Sequence, residues 1–172
     1  AIAPTVIAAI NPEVFSQLDE NQIKAISIEQ MKNLSLAQYA QLSANTNAAL
    51  SAKQVDAYMA AHSVDKLSDA ELKKIAPADG VFTANADSFE SQLALINKLS
   101  EKNLINQVNL NNVPDNKPIV LSKDALLNNT AALKKIQDNG VITIKSNESF
   151  NVQDAKVISD AGIENKIKPH SI

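Results

Sequence analysis

His62 and His170 are the only imidazoles in the chain, so any proton shuttle working near neutrality, or any transition-metal site, would have to begin with one of them. They lie in different parts of the sequence, and neither has a carboxylate partner at the helical spacing of metal ligands. Ordinary solvent-exposed histidines are therefore expected. With no Cys in the chain, thiolate sites, disulfides and a Cys nucleophile are excluded. Asn111, Asn112, Asp115 and Asn116 gather side-chain oxygens in one stretch and could offer them to Ca²⁺. A single carboxylate brings too little charge for tight binding, and a turn rich in Asn and Pro explains the stretch more simply. Glu13, Asp19, Glu20 and Glu29 fall at helix starts, where negative charge is favourable without any acid–base role. The three glycines are isolated, so no phosphate-cradling loop is present. This reading assigns no catalytic, cofactor-binding or metal residue, and the chain is expected not to be an enzyme.

The net charge is −3 and every Lys/Arg-type residue is Lys. A chain without Arg lacks the bidentate phosphate clamps of nucleic-acid binders, so nucleic acid is not an expected partner. No apolar run reaches the length of a membrane span, and Ala1-Ile2-Ala3-Pro4 has neither the basic stretch nor the apolar run of a secretory signal. Asn33-Leu34-Ser35, Asn128-Asn129-Thr130 and Asn147-Glu148-Ser149 fit the glycosylation acceptor pattern, but a sequence this rich in Asn produces such matches by chance.

The elements that would carry these residues are organised by an eight-residue pattern. Leu18-Asp19-x-x-Gln22-Ile23 recurs as Ile26-Ser27-x-x-Gln30-Met31, Leu34-Ser35-x-x-Gln38-Tyr39 and Leu50-Ser51-x-x-Gln54-Val55, with a degraded copy at Leu42-Ser43. The phase extends back through Ile10-Asn11-Pro12 to Ile2 and forward to Tyr58. Ser or Asp followed three residues later by Gln is the capping-box arrangement, so each copy carries its own helix start. In one continuous helix, eight residues at roughly 100° each would rotate the leading Leu by about 80° per copy and wind the apolar stripe around the axis. Short helices restarted at Asn11, Asp19, Ser27, Ser35, Ser43 and Ser51, and stacked on one another, avoid this. The alternative is a set of helical hairpins with about two octads per helix. Tyr39 and Tyr58 occupy octad positions and are expected in the core. Because the first copy begins at once, we expect the array to be cut from a longer one.

The phase is lost after Tyr58. A last start at Leu67-Ser68-x-x-Glu71-Leu72 predicts a helix to about Ile75, stopped by Ala76-Pro77-Ala78-Asp79-Gly80. Beyond it the pattern alternates between strand and helix. Strands are expected at 81–84, 105–110, 119–121 and 141–144, and helices from Ser88, with Phe89, Leu93, Ile96 and Leu99 inward, and from Ser122, with Leu126, Leu127, Leu133 and Ile136 inward. Asp87-Ser88-Phe89-x-x-Gln92 returns as Glu148-Ser149-Phe150-x-x-Gln153, 61 residues later, which makes this half a second repeat whose last copy stays incomplete. Ala161-Gly162 provides a glycine C-cap.

With both periods in view, the chain resembles repeat segments of giant bacterial secreted surface proteins, the type I-secreted repeats-in-toxin-like adhesins and S-layer-like proteins. These carry runs of Leu-Ser/Thr-x-x-Gln-Ile/Val, as at Leu18–Val55, and longer strand–helix repeats like residues 81–145. Their Gly- and Asp-rich calcium nonapeptide is missing here. The resemblance implies a secreted or cell-surface, non-catalytic structural or adhesive module that contributes to surface attachment or self-assembly, with itself or other surface components as partners.

The fold expected is α+β, mainly α and solenoid-like: a stack of short helices over residues 1–79, then a strand/helix repeat region over residues 80–172. A ligand-binding module for glycan, cell wall or haem is the alternative. It would place a pocket where the consensus breaks, at Asn45, Thr46 and Asn47.

Overall fold

The structure is a computed structural model and describes residues 3–46 and 49–168. Its first half is a succession of short helices: α1 (Pro12–Phe15), α2 (Glu20–Lys24), α3 (Ile28–Lys32), α4 (Leu36–Thr46), α5 (Ala52–Ala61) and α6 (Asp69–Ile75). Full capping boxes open α2 at Asp19, α3 at Ser27, α5 at Ser51 and α6 at Ser68. At the start of α4, Ser35 and Gln38 exchange the same two bonds. Asn11 caps α1 by accepting from the Glu13 N–H. The cap residues Asp19, Ser27, Ser51 and Ser68 are extended, with ψ of 172°, 160°, 163° and 164°. An extended N-cap breaks the preceding helix without glycine, and each such cap is worth about 1 kcal/mol.

Ser43 departs from the expectation. It lies inside α4, which runs unbroken to Thr46. The position three residues after Ser43 is Thr46 instead of Gln, so the reciprocal half of a capping box is missing and the helix continues. Four- and five-residue helices, α1 to α3, thus precede two of ten and eleven residues.

The short helices pack on partners distant in sequence: α1 on α4, α3 on α5, and α4 on α6. The core shared by α1 to α5 holds Ile7, Phe15, Ile23, Met31, Leu34, Tyr39, Leu42, Leu50, Val55 and Tyr58, all of them at apolar octad positions.

The second half contains β1 (Val81–Asn85), α7 (Phe89–Glu101), β2 (Gln107–Asn111), β3 (Ile119–Leu121), α8 (Lys123–Asn128), α9 (Thr130–Lys134), β4 (Ile142–Ile144) and α10 (Val152–Ala161). It forms two small parallel sheets. β1 pairs with β2 from Val81↔Gln107 to Asn85↔Asn111, and β3 with β4 from Ile119↔Ile142 to Leu121↔Ile144. Parallel neighbours require crossovers, supplied by α7 and by α8 with α9. Single bridges, Val108↔Ile136 and Ile142↔Ile167, extend each sheet by one further contact. Between β2 and β3, Asn112 and Asn116 take φ of 59°, which Asn tolerates better than other side-chain-bearing residues. Gly162 ends α10 at φ 69°.

The fold is thus α+β and mainly helical, with the expected strands in place. The helix expected from Ser122 is divided. Asn129, at φ −131° and ψ 39°, interrupts it, and its side chain donates to the Ala125 carbonyl at 2.7 Å. Asn97 of α7 then accepts from the Ala132 N–H at 3.0 Å, satisfying a donor freed by the break. The 61-residue correspondence holds for β1 and β4 but not along the helices. Gln92 is buried in α7 while Gln153 is exposed, and the N-cap of α10 is Asn151, two residues past Ser149, in an Asn151–Asp154 capping box. A single core of Phe82, Phe89, Leu93, Ile96, Leu121, Leu133 and Ile142 joins the sheets to their helices, and it also takes in Leu72 and Ile75 of α6 and Ala40 of α4.

Candidate functional site

Among the described residues, the chemistry-bearing side chains singled out in the sequence are not gathered into one cluster. His62 is half-buried, which corrects the expectation of an exposed side chain. Its ring stacks on Tyr58 with centroids 4.2 Å apart and planes at 23°, and its Nδ1 donates to the Tyr58 carbonyl at 3.0 Å. Tyr58 lies four residues earlier in the chain, so helical geometry brings the two together. His170 and Asn47 lie outside the described residues, and Asn45 and Thr46 fall within α4. Asn111, Asn112, Asp115 and Asn116 are exposed on the turn between the sheets. Among the described residues no group of three or more His, Asp or Glu side chains is placed to hold a metal ion. Among them, too, no helix is long and apolar enough to cross a membrane.

Several carboxylates act on the fold. Glu20 pairs with Lys24, and Glu29 with Lys32 at 2.9 Å, on the surface. Glu148 accepts from the Lys123 N–H at the start of α8, and Glu90 from the Ser122 N–H. Asp154 is held below the usual Asp range, first by the Asn151 backbone N–H and then by Lys123, whose Nζ lies 3.0 Å away. Asn33 is occupied in closing α3, its side chain donating to the Glu29 carbonyl at 2.8 Å.

Tyr39 and Tyr58 are core residues, with ring centroids 3.8 Å apart. Burial, joined by the neighbouring Tyr58 phenol, pushes Tyr39 far above the ordinary Tyr range, and burial, joined by the Glu71 charge, does the same for Tyr58. Tyr39 Oη has no hydrogen-bond partner among the described residues. Tyr39→Phe removes this unsatisfied group and is expected to raise stability by about 1 kcal/mol at neutral pH. A phenol with a raised folded pKa contributes stability at neutral pH that is lost as pH rises past the unfolded value near 10. The wild-type urea midpoint should therefore fall above about pH 10, and less steeply in the Tyr39→Phe variant.

The residues that do recur together were not singled out for chemistry. Gln38 Nε2 donates to the carbonyls of Ile7 and Ile10, both at 2.8 Å, while its Oε1 serves the capping box with Ser35. Gln54 repeats the arrangement, donating to Ile23 at 2.8 Å and Ile26 at 2.9 Å. The two offsets, 31 and 28 residues, are identical in both cases. Both glutamines are buried. Each thus starts its own helix and also bonds two carbonyls of an earlier turn, the first of which already accepts from the backbone N–H of the second residue, Ile10 or Ile26. The sequence did hold a signal. Glu would serve a capping box as well as Gln, yet positions 22, 30, 38 and 54 are all Gln, and Glu appears only in the out-of-phase box at Glu71.

Beside these contacts lies an apolar recess, a groove of about 540 Å³ lined by Ile10, Val14, Phe15, Leu18, Gln22 and Ile26 among others. Val14 is 47% exposed on its rim. Gln22 has the same capping box as Gln38 and Gln54, but it is exposed and its Nε2 has no partner among the described residues. Compared with protein-family models, curated proteins and solved structures, the chain gives no match.

Proposed function

We propose that this chain is a non-catalytic structural module of a bacterial secreted or cell-surface protein, contributing to surface attachment or self-assembly, with its octads stacked in a solenoid-like array. The observation that carries the reading is the twofold use of one Gln, at one pair of offsets, to start a helix and to bond an earlier turn. A unit that bonds to its neighbours through residues present in most copies can be added without new chemistry, as in repeat architectures. The resemblance of Leu18–Val55 and residues 81–145 to segments of giant adhesins supplies the location and the role.

The test is retention of the full chain on bacterial cells and on apolar and polar solid surfaces, with sedimentation velocity over a wide concentration range. Retention or concentration-dependent association is expected. A chain that stays monomeric throughout and leaves every surface on washing overturns the proposal.

A further inference from the structure

We propose that the groove around Gln22 is an open stacking position that receives one more octad helix, a short helix of the apolar–Ser/Asp–x–x–Gln–apolar type. Its terminal carbonyls would accept from Gln22 Nε2. The occupant is fixed by continuity with contacts the chain already makes. At Gln38 and Gln54 the same side chain, in the same capping box, donates to the carbonyl of the apolar residue that ends an octad's Gln-side turn and to that of the next leading apolar residue. Those residues are Ile7 with Ile10, and Ile23 with Ile26. Gln22 presents the same donor beside Ile10, Val14, Leu18 and Ile26, the apolar residues of its own and the neighbouring octads. An amide donor at the edge of an apolar groove matches a ligand with an apolar face and backbone carbonyls that have acceptor capacity to spare, and the end of a short helix is such a ligand. Elsewhere in the chain, a box with Glu in place of Gln, Ser68 with Glu71, makes the cap but has no donor to offer a carbonyl.

The inference rests on the structural reading above for its biological role, but its test does not depend on surface binding. A duplicate of residues 18–32 is joined directly before Ala1 of the full chain. This places the duplicated Ile23 and Ile26 carbonyls 31 and 28 residues before Gln22, the offsets seen internally. Gln22→Glu keeps the capping acceptor and deletes the donor. In the chain without the duplicate, the substitution should leave the urea midpoint unchanged. In the extended chain it should lower the folded-to-unfolded ratio by about tenfold, and the Gln22 side-chain amide of the extended parent should exchange about tenfold more slowly than in the original chain.

Equal effects of Gln22→Glu in both chains, or an extension whose amides exchange as freely as an unfolded peptide, overturn the proposal. So does the finding that the original chain dimerises and that Val14→Asp abolishes the dimer, because the groove then belongs to a second copy. If docking occurs but the chain neither associates nor holds to surfaces, the module reading fails and this one stands. If docking fails while surface retention persists, the reverse holds.

Discussion

Gln54→Glu is expected to destabilise the chain by about 3–5 kcal/mol at neutral pH, whereas Gln22→Glu should cost no more than about 0.5 kcal/mol. Both substitutions preserve the capping-box acceptor. Glu71 already serves in that way, its Oε1 accepting from the Ser68 N–H at 3.1 Å, and those contacts with Ser68 hold it below the usual carboxylate range. The difference lies behind the cap. Gln54 is 3% exposed and donates to two carbonyls, so a carboxylate there would face two acceptors without solvent. Gln22 is exposed and loses nothing of this kind.

The loss at position 54 should depend on pH. Burial raises the introduced carboxyl in the folded state above its unfolded value, so the variant is closest to wild type below about pH 4 and falls behind as pH rises. Protonated Glu regains one donor, enough for one of the two carbonyls. Urea midpoints of both variants near pH 4 and pH 7, with unchanged m-values, check the prediction. Equal losses at positions 22 and 54 would mean that the long-range bonds contribute little and that the box alone matters.

Local signals were legible in the sequence in proportion to how local their physics is. Asp19, Ser27, Ser35, Ser51 and Ser68 start helices as read, because both halves of a capping box lie within four consecutive residues. Ser43 failed as a start: the sequence has Thr where the pattern requires Gln three residues on, and α4 runs through the position. The strands at 81–85 and 142–144 were visible from β-branched and aromatic residues with few competing signals, and Gly162 closes α10 as expected.

What escaped is what the chain decides only after it has packed. Gln38 and Gln54 meet their carbonyls 31 and 28 residues away, a separation that follows from how the helices stack and from no propensity. The break at Asn129 depends on Asn97 of α7 being placed to accept from Ala132, a contact 35 residues distant. His62 was misread through neglect of a local rule: Tyr58 is its neighbour one helical turn back. Glu90 and Glu148 accept from N–H groups at the start of α8, and Glu20 and Glu29 form surface pairs, roles that composition does not distinguish from chemistry.

Phe89→Ala is expected to cost about 3–5 kcal/mol, and the corresponding Phe150→Ala, 61 residues later, only about 1–2 kcal/mol. In sequence the two residues hold the same place, each after a Ser and three residues before a Gln. In the structure they do not. Phe89 is 0% exposed and sits at the start of α7, which the chain enters through a turn at Ala86–Ser88 capped by Asn85. Phe150 is half-buried at the edge of the same core, ahead of the Asn151 cap that opens α10. Removing the first ring leaves a cavity closed off from water inside the core, while the space left by the second is partly open to water and can collapse. Chemical denaturation of the two variants separates sequence periodicity from structural repetition. Equal costs would show that the two copies are packed alike despite their different helix entries, and unequal ones that the shared pattern fixes the strands and leaves each helix to its own surroundings.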